Sequence, residues 1–134
     1  MNLENALKAL GGDFAKCRVG NLKNQTFSHR EDGGLSVCFR YTKEYDGKVW
    51  WTSEQPLTMD SCDYLIIALQ NLGLLVLPRK VVLNYWETLK VSTLKDGRRK
   101  IYVGDKDGKT VLYNGKSQDT IDVSEYLNNG VAVD

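Results

Sequence analysis

Two apolar runs in the middle of the chain constrain its fold more than any other feature. The first is DYLIIAL, from Asp63 to Leu69, and the second is GLLVLP, from Gly73 to Pro78. Each has the length of a strand and is apolar at nearly every position, which is the pattern of a strand buried on both faces. The turn at Leu72-Gly73 and the closing Pro78 therefore predict two neighbouring central strands.

Helices are predicted on both sides of this region. The segment from Arg79 to Leu89 follows the second run directly, and its apolar residues recur at helical spacing. A shorter candidate runs from Asn2 to Leu10, and the adjoining Gly11-Gly12 would end it.

The rest of the chain is dominated by strand and turn signals. LSVCFRYT, residues 35–42, alternates between two faces, and Asp46-Gly47 predicts a hairpin with the returning strand KVWWTSE, residues 48–54. In that strand Trp50 and Trp51 point to opposite faces, so we expect one in the core and one outside. Further turn signals at Asp96-Gly97 and Asp107-Gly108 predict a hairpin-rich C-terminal region.

These elements predict one α+β domain over residues 1–134, with a single mixed sheet flanked by helices. The length of 134 residues suits one domain, and no apolar run approaches the ~20 residues of a membrane helix. The first ten residues lack the basic start and apolar stretch of a signal peptide. Three scattered cysteines without a CxxC pattern argue against a disulfide framework, so we expect a cytoplasmic protein without a membrane partner.

The order of the elements resembles the core of the PD-(D/E)XK, or restriction endonuclease-like, nuclease superfamily. A helix leads into a hairpin-rich sheet, and an aromatic strand precedes DYLIIALQNLGLLVLPRKVV, in which two apolar strands lead into a helix. The resemblance covers residues 1–89, so it implies a nuclease-like core followed by an extension over residues 90–134. It also implies an acid at the end of one strand and an acid-x-Lys motif on the next, where carboxylates hold a divalent metal.

In this chain the acid-x-Lys position reads Cys38-Phe39-Arg40. Cys38 and Arg40 share a face of the strand, but a thiol is not the hard oxygen ligand that Mg²⁺ prefers. The upstream acid would be Glu31 or Asp32. If the protein is an active nuclease, Glu31, Asp32 and Arg40 are the candidate catalytic residues and Mg²⁺ is the cofactor. If it is not, we expect no cofactor. A displaced metal site would use Asp32, Glu44 or Glu54.

Charge and aromatic residues indicate a surface for a polyanion. The net charge of the chain is only +1, but residues 79–109 carry 9 Lys/Arg against 4 Asp/Glu. The candidate nucleic-acid-binding residues are Arg40, Lys43, Lys48, Trp50, Trp51, Arg79, Lys80, Arg98, Arg99 and Lys100. The alternative interpretation is a set of solvated turns and strands whose lysines keep edges from aggregating.

Three functional hypotheses follow. The first is a nucleic-acid-binding protein, with DNA as the expected ligand, whose nuclease-like fold lacks a complete metal site. The second is a divalent-metal-dependent endonuclease with a displaced site. The third is a small protein-interaction module, such as an accessory, immunity or anti-defence protein of a phage or mobile element, with a protein partner.

Overall fold

A computed structural model of the chain describes residues 18–22, 25–29, 36–55, 59–60, 62–115, 119–128 and 133, the first two ranges as backbone alone. The predicted helix at Asn2–Leu10 and the candidate catalytic residues Glu31 and Asp32 lie outside these ranges. The strands are β1 (Arg18–Leu22), β2 (Gln25–His29), β3 (Ser36–Thr42), β4 (Val49–Glu54), β5 (Tyr64–Leu69), β6 (Gly73–Pro78), β7 (Arg99–Lys106), β8 (Lys109–Tyr113), β9 (Ile121–Asp122) and β10 (Leu127–Asn128). Helix α1 spans Arg79–Thr88.

The first sheet is mixed and has the strand order β1-β2-β3-β5-β6-β10. Strands β5 and β6 form the antiparallel pair that the two apolar runs predict, and most of their side chains are buried. Helix α1 begins directly after Pro78, as its helical spacing predicts. The α+β class is therefore confirmed for the described part of the chain.

The predicted hairpin between β3 and β4 forms only at its turn. Tyr45 and Val49 exchange backbone hydrogen bonds of 2.6 and 3.1 Å around Asp46-Gly47, and the two strands then separate. Both edges of β3 are already occupied, by β2 on one side and by β5 on the other. The pairing of β3 with β5 is parallel, which requires a long crossover connection, and β4 lies within that crossover.

Strand β4 instead joins a second, antiparallel sheet with the order β4-β7-β8-β9. The expectation of a single sheet is therefore not confirmed, because the described strands lie in two. The turn at Asp107-Gly108 connects β7 and β8 as predicted. One contiguous buried cluster contains residues of both sheets and of α1, among them Trp50, Leu65, Tyr85 and Ile101.

Candidate functional site

An ion pair connects the two sheets at the place where β3 and β4 diverge. The Nε of Arg40 on β3 lies 3.0 Å from Oε2 of Glu54 on β4, and Nη2 of Arg40 donates to the backbone oxygen of Ser53 at 3.2 Å. Glu54 is fully buried, and this burial raises its pKa, while the nearby guanidinium of Arg40 works in the opposite direction. Arg40 is thus held by structural contacts.

The position expected to hold a metal-binding acid is instead occupied by a neutral thiol. A hydrogen bond with Cys62, burial and the neighbouring Glu54 carboxyl all raise the pKa of Cys38. Within the described ranges, no three His, Cys, Asp or Glu side chains are grouped so that they could hold a metal ion. These residues do not fit a Mg²⁺ site, because the Glu54 carboxylate is engaged by Arg40 and the Cys38 thiol is a poor ligand for that ion.

A groove of about 480 Å³ opens where β3 and β4 separate. Its walls include Arg40 and Lys43 from the β3 side, Trp51 from β4, and Arg98 from the turn before β7. The pairing of β4 with β7 brings Arg98 to this place, although it is far from Arg40 in sequence. The structure therefore gathers four of the predicted binding residues on one surface.

Trp51 is the exposed tryptophan of this groove. Its side chain is 38% exposed, and its ring stacks on Tyr45 with centroids 6.0 Å apart and an interplanar angle of 28°. The ammonium of Lys100 lies 4.8 Å from the centroid of the Trp51 ring, within the range of a cation–π interaction. Lys100 thus becomes a fifth predicted residue at the groove, next to its aromatic surface.

The second tryptophan of the pair belongs to the core. Trp50 is 1% exposed, and its indole N–H donates to the backbone oxygen of Gln70 at 2.9 Å. This confirms that one tryptophan lies inside and one outside, and Trp50 does not reach the groove surface.

The remaining predicted residues lie elsewhere. Lys48 is 3.7 Å from the carboxylate of Asp105, and the Arg99 guanidinium lies 5.4 Å from the centroid of the Trp86 ring. Arg79 donates to the backbone oxygen of Asp60 at 3.2 Å. Lys80 lines a separate depression together with Asp122 and Glu125. Lys48, Arg79 and Arg99 thus have local partners, and the lining of the groove includes neither these three residues nor Lys80.

Sequence reasoning missed several tyrosines near this surface. Tyr41 and Tyr45 line the groove and are 44% and 42% exposed. Tyr102 and Tyr113 form a neighbouring ring pair with centroids 5.4 Å apart. The signal for that pair is present in the sequence, because a tight turn at Asp107-Gly108 sets a register that pairs Tyr102 with Tyr113.

Comparisons of the chain with family models, with curated proteins and with solved structures found no match. Within the described residues, none of the helices has both the length and the apolar character needed to cross a membrane.

Proposed function

We propose that this protein binds nucleic acid, in the first instance DNA, through the groove between β3 and β4, without a complete metal site. One observation carries the proposal: the Lys100 ammonium lies above the exposed ring of Trp51, in a groove that also contains Lys43 and Arg98. Cations that contact phosphates, combined with an exposed ring that can stack on a base, are the elements of a nucleic-acid surface.

The positive charge of this groove comes chiefly from three residues. Arg40 is neutralised by Glu54, whereas Lys43 is exposed and Lys100 is held over Trp51. Arg98 has Asp96 at 3.6 Å, but that carboxylate is 60% exposed, so solvent weakens the pair. Three phosphate contacts give a moderate electrostatic attraction, which depends on salt.

The test is a binding titration with fluorescently labelled DNA over a series of salt concentrations. Three phosphate contacts predict a slope of log K against log salt of about −2 to −3. Lys43→Gln and Lys100→Gln should each make this slope shallower by about 1 and weaken binding. Lys80→Gln is the matched control, because Lys80 lies in a separate depression beside acidic residues. Absence of binding to single- or double-stranded DNA or RNA at low salt would refute the proposed function.

The restriction endonuclease-like core over residues 1–89 is a further proposal. Its support is the succession of β5, β6 and α1, which follow one another as the resemblance implies. An experimental structure that includes Glu31 and Asp32 would test it, since the nuclease hypothesis requires one of these carboxylates close to Arg40. Plasmid cleavage with Mg²⁺ that is lost in Glu31→Ala and Asp32→Ala would favour the endonuclease alternative. A protein partner recovered without nucleic-acid binding would favour the interaction module.

A further inference from the structure

The outer face of the second sheet carries aromatic side chains on three neighbouring strands. Trp51 on β4 lies opposite Tyr102 on β7, and Tyr102 lies opposite Tyr113 on β8. Residues that are directly paired across strands project from the same face, so these three rings form one row. We call Trp51, Tyr102 and Tyr113 the aromatic row.

The row carries a cation between its Trp51 and Tyr102 rings. The centroids of the Tyr102 and Tyr113 rings are 5.4 Å apart, and Lys100 lies 4.8 Å from the Trp51 ring and 5.8 Å from the Tyr102 ring. Beyond Trp51, Tyr45 extends the row by a stacked contact. Aromatic side chains, exposed at Trp51 and half-buried at Tyr102 and Tyr113, therefore lie on three of the four described strands of the sheet.

Two glycines keep the backbone close to these rings. A Cβ added at Gly104 would lie 3.1 Å from Tyr113, and one added at Gly115 would lie 3.0 Å from Tyr102. Gly104 also contributes to a shallow depression of about 360 Å³ beside Tyr113, which Lys48 and Lys106 line as well. The row thus has Lys43 and Arg98 near one end and two further lysines near the other.

We propose that the ligand is single-stranded nucleic acid whose bases stack on the aromatic row, an inference that rests on the nucleic-acid-binding function proposed above. In a duplex the faces of the bases are covered by their neighbours, so a row of rings can reach them only in an unpaired strand. Lys43, Arg98 and Lys106 at the two ends contact the phosphates, and Lys100 contacts the strand at the centre. The row binds with little sequence preference, because every base has a face that can stack.

Intrinsic tryptophan fluorescence gives a direct readout of this stacking. Trp50 and Trp86 are buried, so Trp51 is the tryptophan that a bound base can reach. Oligothymidylate and oligouridylate should both be tested, each against a duplex of the same length and at the same salt concentration. We expect quenching of Trp51 and at least about tenfold tighter binding of a single strand than of its duplex. Quenching together with tighter binding of either single strand than of its duplex supports the proposal, and the stronger of the two single strands shows which polymer is preferred.

Variants of the row separate stacking from charge. Trp51→Ala and Tyr102→Ala should each weaken single-strand binding by about 5- to 150-fold, whereas Trp51→Phe and Tyr102→Phe retain a ring and most of the affinity. Leu83→Ala is the control, because Leu83 is an exposed apolar residue on α1, outside the row. Urea unfolding of each variant should confirm that the fold is intact.

The outcomes distinguish this inference from the function on which it rests. If duplex and single strand bind equally and Trp51→Ala binds like Leu83→Ala, the stacking proposal is wrong while nucleic-acid binding stands. If neither form binds at low salt, the proposed function itself fails. Both nucleic-acid binding and stacking are supported if the single strand binds more tightly than the duplex, if Trp51→Ala and Tyr102→Ala abolish this difference, and if the phenylalanine variants retain it.

Discussion

Arg40 and Glu54 belong to different sheets, yet the guanidinium Nε and the carboxylate Oε2 are 3.0 Å apart. The Glu54 side chain is fully buried and that of Arg40 is 15% exposed, so neither charge is well solvated. A charge in such a place is tolerated when its partner is present and becomes costly when the partner is removed. The pair therefore links the sheets in a way that single substitutions can test.

Replacing Arg40 alone should be strongly destabilising. Arg40→Leu leaves the buried Glu54 carboxylate without its partner, which we expect to lower the free energy of unfolding by about 3–5 kcal/mol near neutral pH. The double variant Arg40→Leu/Glu54→Leu removes both charges and should recover most of that loss. Urea unfolding measures all three proteins. A double variant no more stable than Arg40→Leu would show that the pair does not act as a unit.

The raised pKa of Glu54 predicts a pH effect of definite sign. Because burial raises the folded-state pKa above its ordinary value of 4.5, the folded protein holds this proton more tightly than the unfolded chain does. The stabilisation that comes from this tighter proton binding is fully present below the unfolded-state pKa of Glu54. It is lost as pH rises through the folded-state pKa. Glu54→Gln lacks this titration. The difference in unfolding free energy, wild type minus variant, should therefore fall with increasing pH, and a difference that rises would contradict the assignment.

Tyr85 should hold β7 and β8 together where their pairing begins. Its hydroxyl lies 2.7 Å from the backbone oxygen of Tyr113 and 3.1 Å from that of Lys100, and it accepts from the Tyr102 N–H at 3.4 Å. Tyr85→Phe leaves partly buried backbone groups without this partner, so we expect a loss of about 1–3 kcal/mol. Hydrogen exchange at the Tyr102 amide should accelerate as well.

The matched control for Tyr85 is Tyr45→Phe, the same chemical change at a side chain that is 42% exposed. Removal of an exposed hydroxyl should alter stability by no more than about 0.5 kcal/mol. Equal losses in the two variants would mean that the Tyr85 hydroxyl has no special structural role.

Gly104→Ala should be destabilising because of one ring. The added methyl group would lie 3.1 Å from Tyr113, so we expect a cost of about 1–3 kcal/mol from overpacking. In a Tyr113→Ala background the methyl group no longer meets the ring, and the cost should largely disappear. A double-mutant cycle by urea unfolding measures this coupling. The same cost in both backgrounds would exclude the ring as its cause.

Local signals in the sequence were sufficient for the central elements. Strands β5 and β6 come from continuous apolar runs, and α1 comes from helical spacing after Pro78, so each is determined by residues close together in the chain. The turn at Asp107-Gly108 likewise connects paired strands as predicted. The turn at Asp46-Gly47 gives an equally strong signal, but its strands separate because β5 takes the edge of β3 that β4 would need. Competition between distant strands is not visible in a local pattern.

The candidate site was predictable only in part, for the same reason. Arg40, Lys43 and Trp51 are near one another in sequence, whereas Arg98 and Lys100 reach them through the pairing of β4 with β7. Alternation predicted that the two tryptophans face opposite sides of the strand. It could not predict that Trp50 is the inner one, because that depends on its packing in the core and on its hydrogen bond to the Gln70 backbone oxygen. On β3, alternation places Val37 and Cys38 on opposite faces, yet both side chains are buried, while Tyr41 is 44% exposed.

Each sheet contains strands from both halves of the chain, and this arrangement makes the protein suitable for fragment complementation. A chain divided after Leu89 would leave β4 in one piece and its partner β7 in the other, and β6 would be separated from β10. Each fragment would then carry a strand edge whose complement exists only in the second fragment. Fused to two interacting proteins, such halves would regain their sheets on association, and Trp50, Leu65 and Ile101 would return to a shared core.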